Sequence, residues 1–307
     1  MEHSLSPRLF GLLFDELGMN AGYRALKTGP EELGQRVQSV RVGELGGLSV
    51  TLPHKETIIA LLDELSPTAA AMVAVNCVGS SGLRVLGHNT DGRGFQLALD
   101  RAGVKLAGAR VLILGAGGAA RAAAFSAAQA GARRMVIANR TPERAEALAA
   151  DLVARGLAQA TRPEHADRRA PGTVSSFGPG GQLTIHSSAV SGPAPSCVVC
   201  AISLSASALA DERADIVVNA TSVGLDSSAD PLPESFRLDG ARAVLDMVYR
   251  PLQTALLSRA RAKGIVAIDG VWMLVYQALE QLRIWTSRSV PADLAARLHS
   301  KLCEEAG

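Results

Sequence analysis

Lys55 is the first residue whose type and position suggest chemistry. It follows Gly47–Leu52, which we predict to be a short strand, and it opens a helix predicted to run to Leu65. The chain contains only five lysines against 26 arginines. Because a lysine can release a proton that an arginine retains, Lys55 is a candidate proton donor. A solvated lysine at a helix start is the alternative interpretation.

Polar side chains also follow two further extended segments. Asn76 comes directly after Ala74-Val75, and Asp91 lies in the sequence HNTDG (88–92). An ordinary Asp-Gly turn is the alternative interpretation of Asp91. At the start of the chain, HSLSP (3–7) places two hydroxyls just ahead of a proline, which is also how an ordinary helix begins.

A glycine-rich segment with GxGxxA spacing begins at Gly115. It follows an apolar strand, Val111–Leu114, and opens a predicted helix, Ala119–Ala130. Glycines at this spacing permit a tight turn and a close approach to a pyrophosphate, while the helix N-terminus supplies N–H donors. A tight structural turn is the alternative, but the strand before and the helix after favour a dinucleotide site.

The residues after the next strand, Met135–Ala138, indicate which dinucleotide. Asn139-Arg140-Thr141 stands where an NAD site usually places a carboxylate, and Arg144 follows one helical turn later. Guanidinium groups bind a 2′-phosphate in fork geometry, whereas a carboxylate repels it. The sequence therefore predicts NADP as the cofactor.

The elements that must position these residues alternate between strand and helix from residue 110 onward. Such alternation predicts an α/β fold with a doubly wound parallel sheet of the Rossmann type. Further strands are predicted at 216–218, 243–245 and 265–268. Residues 171–207 are rich in Ser, Gly, Pro and Ala, and we predict a surface insertion there.

Composition excludes several classes of protein. The chain has 307 residues and a net charge of +2 without a basic block, so we expect no nucleic-acid partner. No apolar stretch reaches membrane-spanning length, and we expect no membrane partner.

The four cysteines do not form a disulfide framework for a chain of this size, which favours a reducing compartment, the cytoplasm. Cys197 and Cys200 form a lone CxxC, interpreted as part of a buried strand rather than a zinc or redox site.

The order and spacing of these motifs resemble the shikimate dehydrogenase family. The resemblance rests on HSLSP (3–7), SVTLPHKE (49–56), AVN (74–76), HNTDG (88–92), GAGGAAR (115–121), NRTPER (139–144), NATSVG (219–224), DMVY (246–249) and DGVWMLVYQ (269–277). It implies reversible NADPH-dependent reduction of 3-dehydroshikimate to shikimate, on the route to aromatic amino acids. It also implies a discontinuous α/β substrate-binding domain, residues 1–93 and 270–307, and an NADP-binding Rossmann domain, residues 94–269.

The resemblance implies roles for individual residues. Lys55 matches the catalytic lysine and Asp91 its carboxylate partner, which favours the ammonium form. Ser4 and Ser6 match a serine pair that holds the substrate carboxylate. Tyr249 lies near that pair, and the residues matching those that bind the ring hydroxyls are Thr51, Asn76, Asp91 and Gln277. The matches to cofactor-lining positions are Gly115, Ala116, Gly117, Gly118, Ala119, Asn139, Arg140, Thr141, Arg144, Met247 and Gly270. No metal site is implied.

The sequence also departs from the family pattern. His54 stands where the family usually has Phe, and Trp272 where it has Gly. The family has a strand ahead of its serine pair, and here none precedes Ser4. We therefore expect the natural protein to begin upstream of Met1 with an apolar strand of about five or six residues. Without it, the first residues should fray and the substrate domain should be less stable than the Rossmann domain.

Two other functions compete with this interpretation. Quinate-using members of the family tend to have Thr for one serine and an acid after the second Rossmann strand, and Ser4, Ser6 and Arg140 differ from both. A catalytically impaired ligand-binding relative would not need both Lys55 and Asp91. The oligomeric state is not fixed by the sequence, and a homodimer is compatible with it.

Overall fold

The computed structural model describes residues 4–161, 197–225 and 227–306. The strands within those ranges are β1 (Leu48–Ser49), β2 (Glu64–Leu65), β3 (Cys77–Ser81), β4 (Arg84–His88), β5 (Arg110–Leu114), β6 (Arg134–Asn139), β7 (Gln159–Ala160), β8 (Val198–Ser203), β9 (Ile216–Asn219), β10 (Ala243–Asp246) and β11 (Val266–Ile268). The α-helices are α1 (Ser6–Glu16), α2 (Leu33–Arg41), α3 (His54–Thr57), α4 (Pro67–Met72), α5 (Asp91–Arg101), α6 (Gly118–Gln129), α7 (Pro142–Ala154), α8 (Ala206–Leu209), α9 (Ala255–Ala262), α10 (Gly270–Thr286) and α11 (Leu294–Ala306).

The larger sheet has seven strands in the order β11-β10-β9-β5-β6-β8-β7, and every neighbouring pair is parallel. Its central strands are apolar except at their ends, because helices cover both faces. Ile113 and Leu114 of β5, which point to opposite faces, are both fully buried. The predicted α/β fold with a doubly wound parallel sheet is confirmed.

One predicted segment is wrong in part. The predicted surface insertion includes residues 198–203, but these residues form β8, which lies between β6 and β7 in the large sheet. The run of apolar residues in Val198–Ser203 buries Val199 and Cys200, so this segment belongs to the core. Residues 206–209 form α8, and the remainder of the predicted insertion, 171–196, lies outside the described residues.

The smaller sheet has four strands in the order β1-β3-β4-β2. β3 and β4 form an antiparallel hairpin. The helix predicted from Lys55 to Leu65 is shorter than expected. It ends at Thr57 and continues as a 3₁₀ turn over Ile58–Leu61, because the segment beyond it pairs with β4 as β2.

Helix α5 packs closely against helices on either side. A Cβ at Gly92 would lie 3.4 Å from the carbonyl oxygen of Ala122 in α6, and one at Gly94 would lie 2.8 Å from that of Met273 in α10. Ser126 of α6 donates a hydrogen bond to the Gly92 carbonyl at 3.0 Å. The two glycines therefore let α5 join the helices of the large sheet to α10. The predicted domain boundary at residues 93 and 94 falls inside this helix.

In the described part of the chain, no helix is both long and apolar enough to cross a bilayer. The predicted fraying at the N-terminus concerns residues 1–3, which lie outside the described residues.

Candidate functional site

Lys55 and Asp91 form an ion pair. The Lys55 ammonium donates a hydrogen bond to Asp91 Oδ2 at 2.6 Å, and the two side chains are 19% and 8% exposed. Lys55 lies in the short helix α3, and its backbone carbonyl accepts from Val75 N at 2.8 Å. Asp91 is the first residue of α5, where the helix dipole stabilises a carboxylate. A partly exposed ammonium held by a buried carboxylate can donate a proton and regain one from solvent.

Asn76 fixes the orientation of Asp91. Its side-chain nitrogen donates to Asp91 Oδ1 at 2.6 Å and to Thr90 Oγ1 at 3.0 Å, while its oxygen accepts from Thr90 N at 2.8 Å. Asn89 accepts from the Asp91 backbone N–H at 3.1 Å. The Asp91 carboxylate is thus held between the Asn76 amide and the Lys55 ammonium.

The Lys55–Asp91 pair lines a cavity of about 1320 Å³. All of the residues predicted to bind substrate line the same cavity: Ser4, Ser6, Thr51, Asn76, Asp91, Tyr249 and Gln277. They come from separate parts of the chain, and the fold brings them together. Arg250 and Leu225 also line it, so the cavity extends to loops that follow the large sheet's strands.

The cavity lining is strongly basic. Its charged residues are one acid, Asp91, and the five cations Arg24, Lys27, Arg36, Lys55 and Arg250. Among the described residues, Arg24, Lys27 and Arg250 make no hydrogen bond or ion pair with a side chain, whereas Arg36 lies 3.7 Å from Glu32. A cleft lined by one sign of charge concentrates ligands of the opposite sign. This cavity is therefore suited to an anionic ligand.

Tyr23, Ser49 and Gln281 are polar cavity residues that the sequence analysis did not single out. Ser49 donates to Gln281 Oε1 at 2.6 Å, and Gln281 Nε2 donates to Thr90 Oγ1 at 3.4 Å. Gln281 could have been found, since it lies one helical turn after Gln277 on the same face of α10. Tyr23 gave no such signal, because it belongs to a segment without secondary structure.

The glycine-rich turn connects β5 to α6, as predicted. Gly115 adopts φ +106° and a Cβ there would lie 2.9 Å from the Ala220 carbonyl oxygen, so only glycine fits the turn. A Cβ on Gly117 or Gly118 would meet nothing within 4 Å, and both residues are exposed. The open space above the N-terminus of the twelve-residue helix α6 fits a pyrophosphate, with Ala116 and Ala119 beside it.

The residues predicted to select the cofactor follow β6. Asn139 Nδ2 donates to the Thr141 carbonyl at 2.9 Å, which shapes the turn into α7. Arg140 and Arg144 are exposed and form no ion pair with the residues that the structure describes, although Glu143 also lies in the first turn of α7. Two unpaired guanidinium groups at this strand end fit the 2′-phosphate of NADP.

Met247 and Gly270 meet at the end of β10. A Cβ on Gly270 would lie 2.6 Å from the Met247 carbonyl oxygen. The loop that carries Met247 and Tyr249 is held by Asp246, which accepts hydrogen bonds from Asn219 at 2.8 Å and Thr254 at 2.7 Å. Burial raises the pKa of Asp246, and these donors oppose the effect. Asn219 and Asp246 were not predicted as support for the site, although each is a polar residue ending an apolar strand.

The described cysteines are free thiols. Cys197 and Cys200 pack into hydrophobic clusters on opposite faces of the large sheet, which confirms the prediction of a buried strand segment. Among the described residues, no cluster of His, Cys, Asp and Glu could hold a metal ion.

Three family models match the chain. The shikimate dehydrogenase substrate binding domain covers residues 1–78, shikimate / quinate 5-dehydrogenase covers 96–163, and the shikimate 5′-dehydrogenase C-terminal domain covers 270–297. The first and third models match segments at the two ends of the chain, and the second matches β5, α6, β6 and α7.

Similar proteins agree with these models. The shikimate dehydrogenase (NADP⁺) of Symbiobacterium thermophilum is 37% identical over 95% of this chain and 88% of its own length. The crystal structure of shikimate 5-dehydrogenase from Thermus thermophilus with NADP(H) and shikimate is 33% identical, with a TM-score of 0.73 over 98% of this chain and 95% of that one. The 5-ketofructose reductase of a Gluconobacter species is 29% identical, with a TM-score of 0.74 over 98% and 94%. Sequence identity along nearly the whole length, together with the three matched models, shows that the chain belongs to the shikimate dehydrogenase family.

Proposed function

We propose that this protein catalyses the reversible NADPH-dependent reduction of 3-dehydroshikimate to shikimate in aromatic amino-acid biosynthesis. The observation that carries the proposal is the Lys55–Asp91 pair, 2.6 Å apart, in a basic cavity that reaches the loops after the large sheet. A proton donor and a dinucleotide site are the two parts that carbonyl reduction requires.

The residues of the chain supply the proton and the orientation. When bound, NADPH supplies the hydride that reduces the carbonyl carbon. Lys55 donates a hydrogen bond to the carbonyl oxygen, stabilises the negative charge that develops there, and transfers the proton that completes the alcohol. Asp91 keeps the ammonium directed into the cavity. Because Lys55 is partly exposed, water can restore its proton after each turnover.

Side chains on both sides of Lys55 are proposed to hold the substrate. Ser4 and Ser6, with Tyr249, bind the carboxylate, and the cationic lining attracts it. Thr51, Asn76, Asp91 and Gln277 bind the ring hydroxyls. The geometry supports this division, because the serines lie at the start of α1 whereas Asn76 and Asp91 contact each other.

NADP is proposed to lie along the carboxyl edge of the large sheet. Gly115 to Ala119 receive the pyrophosphate, Asn139 to Thr141 and Arg144 bind the adenosine 2′-phosphate, and Met247 and Gly270 flank the nicotinamide. The open space at Gly117 and the exposed guanidinium groups support this placement.

The test is a turnover assay with 3-dehydroshikimate that follows the loss of NADPH absorbance, beside a direct titration of NADPH binding. We expect turnover in the wild type and its loss in Lys55→Ala, with NADPH binding retained in both. A wild-type protein that binds NADPH but does not reduce 3-dehydroshikimate would contradict the proposal.

A second candidate is reduction of a neutral keto sugar, because a 5-ketofructose reductase shares this fold. The cavity argues against it: five cations and one acid suit a carboxylate, which 5-ketofructose lacks. Quinate is the third substrate to compare. Reduction of 3-dehydroshikimate is compared with reduction of 5-ketofructose, and oxidation of shikimate is compared with oxidation of quinate. We expect 3-dehydroshikimate and shikimate to have the higher kcat/KM in their respective assays.

Domain organisation and location are also proposals. Two sheets support a substrate-binding domain, residues 1–93 and 270–307, and a Rossmann domain, residues 94–269. The free cysteines support a reducing compartment, the cytoplasm.

A further inference from the structure

The cavity extends past the residues proposed to hold the substrate, along one face of α2. Leu33 and Ile58 line this part, and both belong to the hydrophobic cluster that packs on the four-stranded sheet. Leu9 and Phe10, which line the cavity near Ser6, belong to a separate cluster that includes residues of α10. The two ends of the cavity therefore lie on different cores. At about 1320 Å³ the cavity exceeds the roughly 300–1,000 Å³ of a pocket for a drug-sized ligand, so it has room for a second group.

A turn at the start of α2 brings basic side chains to this end of the cavity. The Gly29 N–H donates to Glu32 Oε2 at 2.8 Å, and Glu32 Oε1 lies 3.7 Å from Arg36 Nη2. One carboxylate thus connects the segment that carries Lys27 and Thr28 to the Arg36 guanidinium. Lys27, Thr28 and Arg36 line the cavity, whereas Glu32 does not. The turn therefore presents positive charge to the cavity.

The Arg36 guanidinium has donors that the protein does not use. Its Nε–H is buried and meets no acceptor among the residues that the structure describes. Its distance of 3.7 Å to Glu32 is longer than a hydrogen bond. Nearly all buried N–H groups in folded proteins have a partner. Lys27 is exposed and forms no ion pair within the described ranges. Two cations with unused donors on one turn are suited to an oxyanion.

His54 holds the segment of Lys27 in position. Its Nε2 lies 2.9 Å from the Thr28 carbonyl oxygen. Because a carbonyl oxygen only accepts, Nε2 carries the proton and donates it to this bond. The bond connects Thr28 to α3. Phenylalanine, the usual residue of the family at position 54, has no donor for it, so the contact is a feature of this chain.

We propose that Lys27 and Arg36 form a second anion subsite of the cavity, which binds a phosphate group, and that His54 is a positioning residue for it. The inference goes beyond the proposed function, because it concerns a group other than the substrate carboxylate beside Ser6. A small rotation of the guanidinium brings Arg36 Nε and one Nη to two phosphate oxygens in fork geometry, and the Lys27 ammonium donates to a third. Phosphate has oxygens enough for both side chains, whereas a carboxylate has only two.

The experiment titrates inorganic phosphate into the protein saturated with NADPH and shikimate. Both of these are the reduced partners of the reaction, so they fill their own sites without turnover. Ionic strength is held constant with sodium chloride, because salt alone screens a basic surface. We expect phosphate to bind this complex saturably. If phosphate binds only in the absence of the two ligands, or not at all, it has no site beyond theirs and the proposal is overturned.

Substitutions locate the bound phosphate. Arg36→Gln and Lys27→Gln each remove one cation of the subsite, and Lys27 is exposed, so its replacement does not endanger the fold. The matched control is Arg261→Gln at an exposed position of α9 that does not line the cavity. We expect the Kd for phosphate to rise about 10-fold or more in the first two variants and less than about twofold in the control. An equal rise in all three would show general charge attraction and overturn the proposal.

The role of His54 is tested in the same titration. His54→Phe removes the donor to Thr28, and we expect the Kd for phosphate to rise about 3- to 10-fold, as for loss of a neutral hydrogen bond. His54→Gln keeps a side-chain N–H that can donate to the same carbonyl, and it should restore most of the affinity. Wild-type affinity in His54→Phe would show that His54 does not position the subsite.

A phosphate group reaches the subsite either as the free ion or as an ester of the ring acid, and a shikimate monophosphate distinguishes the two. An ester that occupies both subsites gains from both contacts, so it should inhibit with a Ki about 10-fold or more below the Kd of shikimate, and Arg36→Gln should remove that gain. An ester that binds no more tightly than shikimate leaves the free ion as the ligand. If the wild type does not bind shikimate, the proposed function fails, and phosphate titration of the ligand-free wild type against Arg36→Gln still decides whether the subsite exists.

Discussion

Gly94→Ala tests whether the contact between α5 and α10 determines the geometry of the site. The added Cβ would lie 2.8 Å from the Met273 carbonyl oxygen and 2.7 Å from Gln277 Cγ. Ordinary van der Waals contact begins near 3.4 Å, so the helices must separate by about 0.6 Å. Overpacking costs about 2–3 kcal/mol, and the better helix propensity of alanine returns about 0.5–1 kcal/mol. The net loss is about 1–2.5 kcal/mol.

The movement should reach the chemistry, because Asp91 begins α5 and Gln277 lies on α10. A net loss of this size lowers Tm by roughly 2–4 °C in a chain of this length. A displacement of several tenths of an ångström between groups that hold the substrate should lower kcat/KM about tenfold. Both quantities are accessible, by thermal unfolding and by the NADPH-coupled assay with 3-dehydroshikimate.

The matched control is Gly11→Ala in α1. It is the same substitution within a helix, and a Cβ at Gly11 would meet nothing within 4 Å. Alanine there should raise Tm by roughly 1–2 °C and leave kcat/KM unchanged. If Gly94→Ala behaves like Gly11→Ala in both assays, α5 and α10 are not in the close contact described, and the account of how Asp91 is positioned is wrong.

Four further results are expected. Lys55→Ala and Lys55→Arg should both lose most of kcat while their affinity for NADPH stays that of the wild type. The control is Lys105→Ala, at an exposed lysine, and a near-normal kcat in either Lys55 variant would show that Lys55 has a structural role only. Shikimate oxidation by the wild type should proceed further towards NADPH as pH rises, because the reaction releases a proton to the solvent; an NADPH yield at equilibrium that does not change with pH would contradict this. The wild type should prefer NADP over NAD by about 10²-fold, and Arg140→Ala should reduce that preference whereas Arg133→Ala, at the other end of β6, should not. Deleting residues 173–192 should preserve NADPH binding, whereas deleting 198–203 should abolish folding because it removes β8 from the sheet. Loss of NADPH binding in the first deletion would show that residues 173–192 are needed for the cofactor site and are not a dispensable insertion.

The large sheet could be predicted from the sequence because its strands are buried on both faces. Val111–Leu114 is apolar throughout, and the glycine that follows marks its end. The same reasoning recognised Cys197 and Cys200 as part of a buried strand but did not place that strand, β8, in the large sheet. Residues 171–196 have a Ser-, Gly- and Pro-rich composition, and extending that segment to residue 207 hid the apolar run at 198–203. Short helices such as α2, with few apolar residues, gave too weak a periodicity to be recognised.

The site was predictable where a residue type is unusual for its position. A lysine in an arginine-rich chain, a glycine pattern between strand and helix, and arginines at a strand end each carried a chemical reason. Tyr23 and Ser49 carried none, because their place in the cavity depends on contacts between segments far apart in the chain. Tyr23 meets Ser6 and Ser49 only after α1 and β1 are in place, and the segment around it has no periodicity to indicate which way its ring points.

Helix α5 explains how the two chemical halves of the site remain aligned. The proton donor belongs to α3, beside the four-stranded sheet, whereas the glycine-rich turn belongs to the seven-stranded sheet. Asp91 links them, because it binds Lys55 on one side and begins a helix that packs on α6, whose N-terminus forms the glycine-rich turn, on the other. The Ser126 hydrogen bond to the Gly92 carbonyl fixes that packing only one residue from Asp91. A displacement of α6 is therefore transmitted to the Asp91 carboxylate, which orients Lys55. In this way Lys55 keeps its position relative to the glycine-rich turn, although the two do not touch.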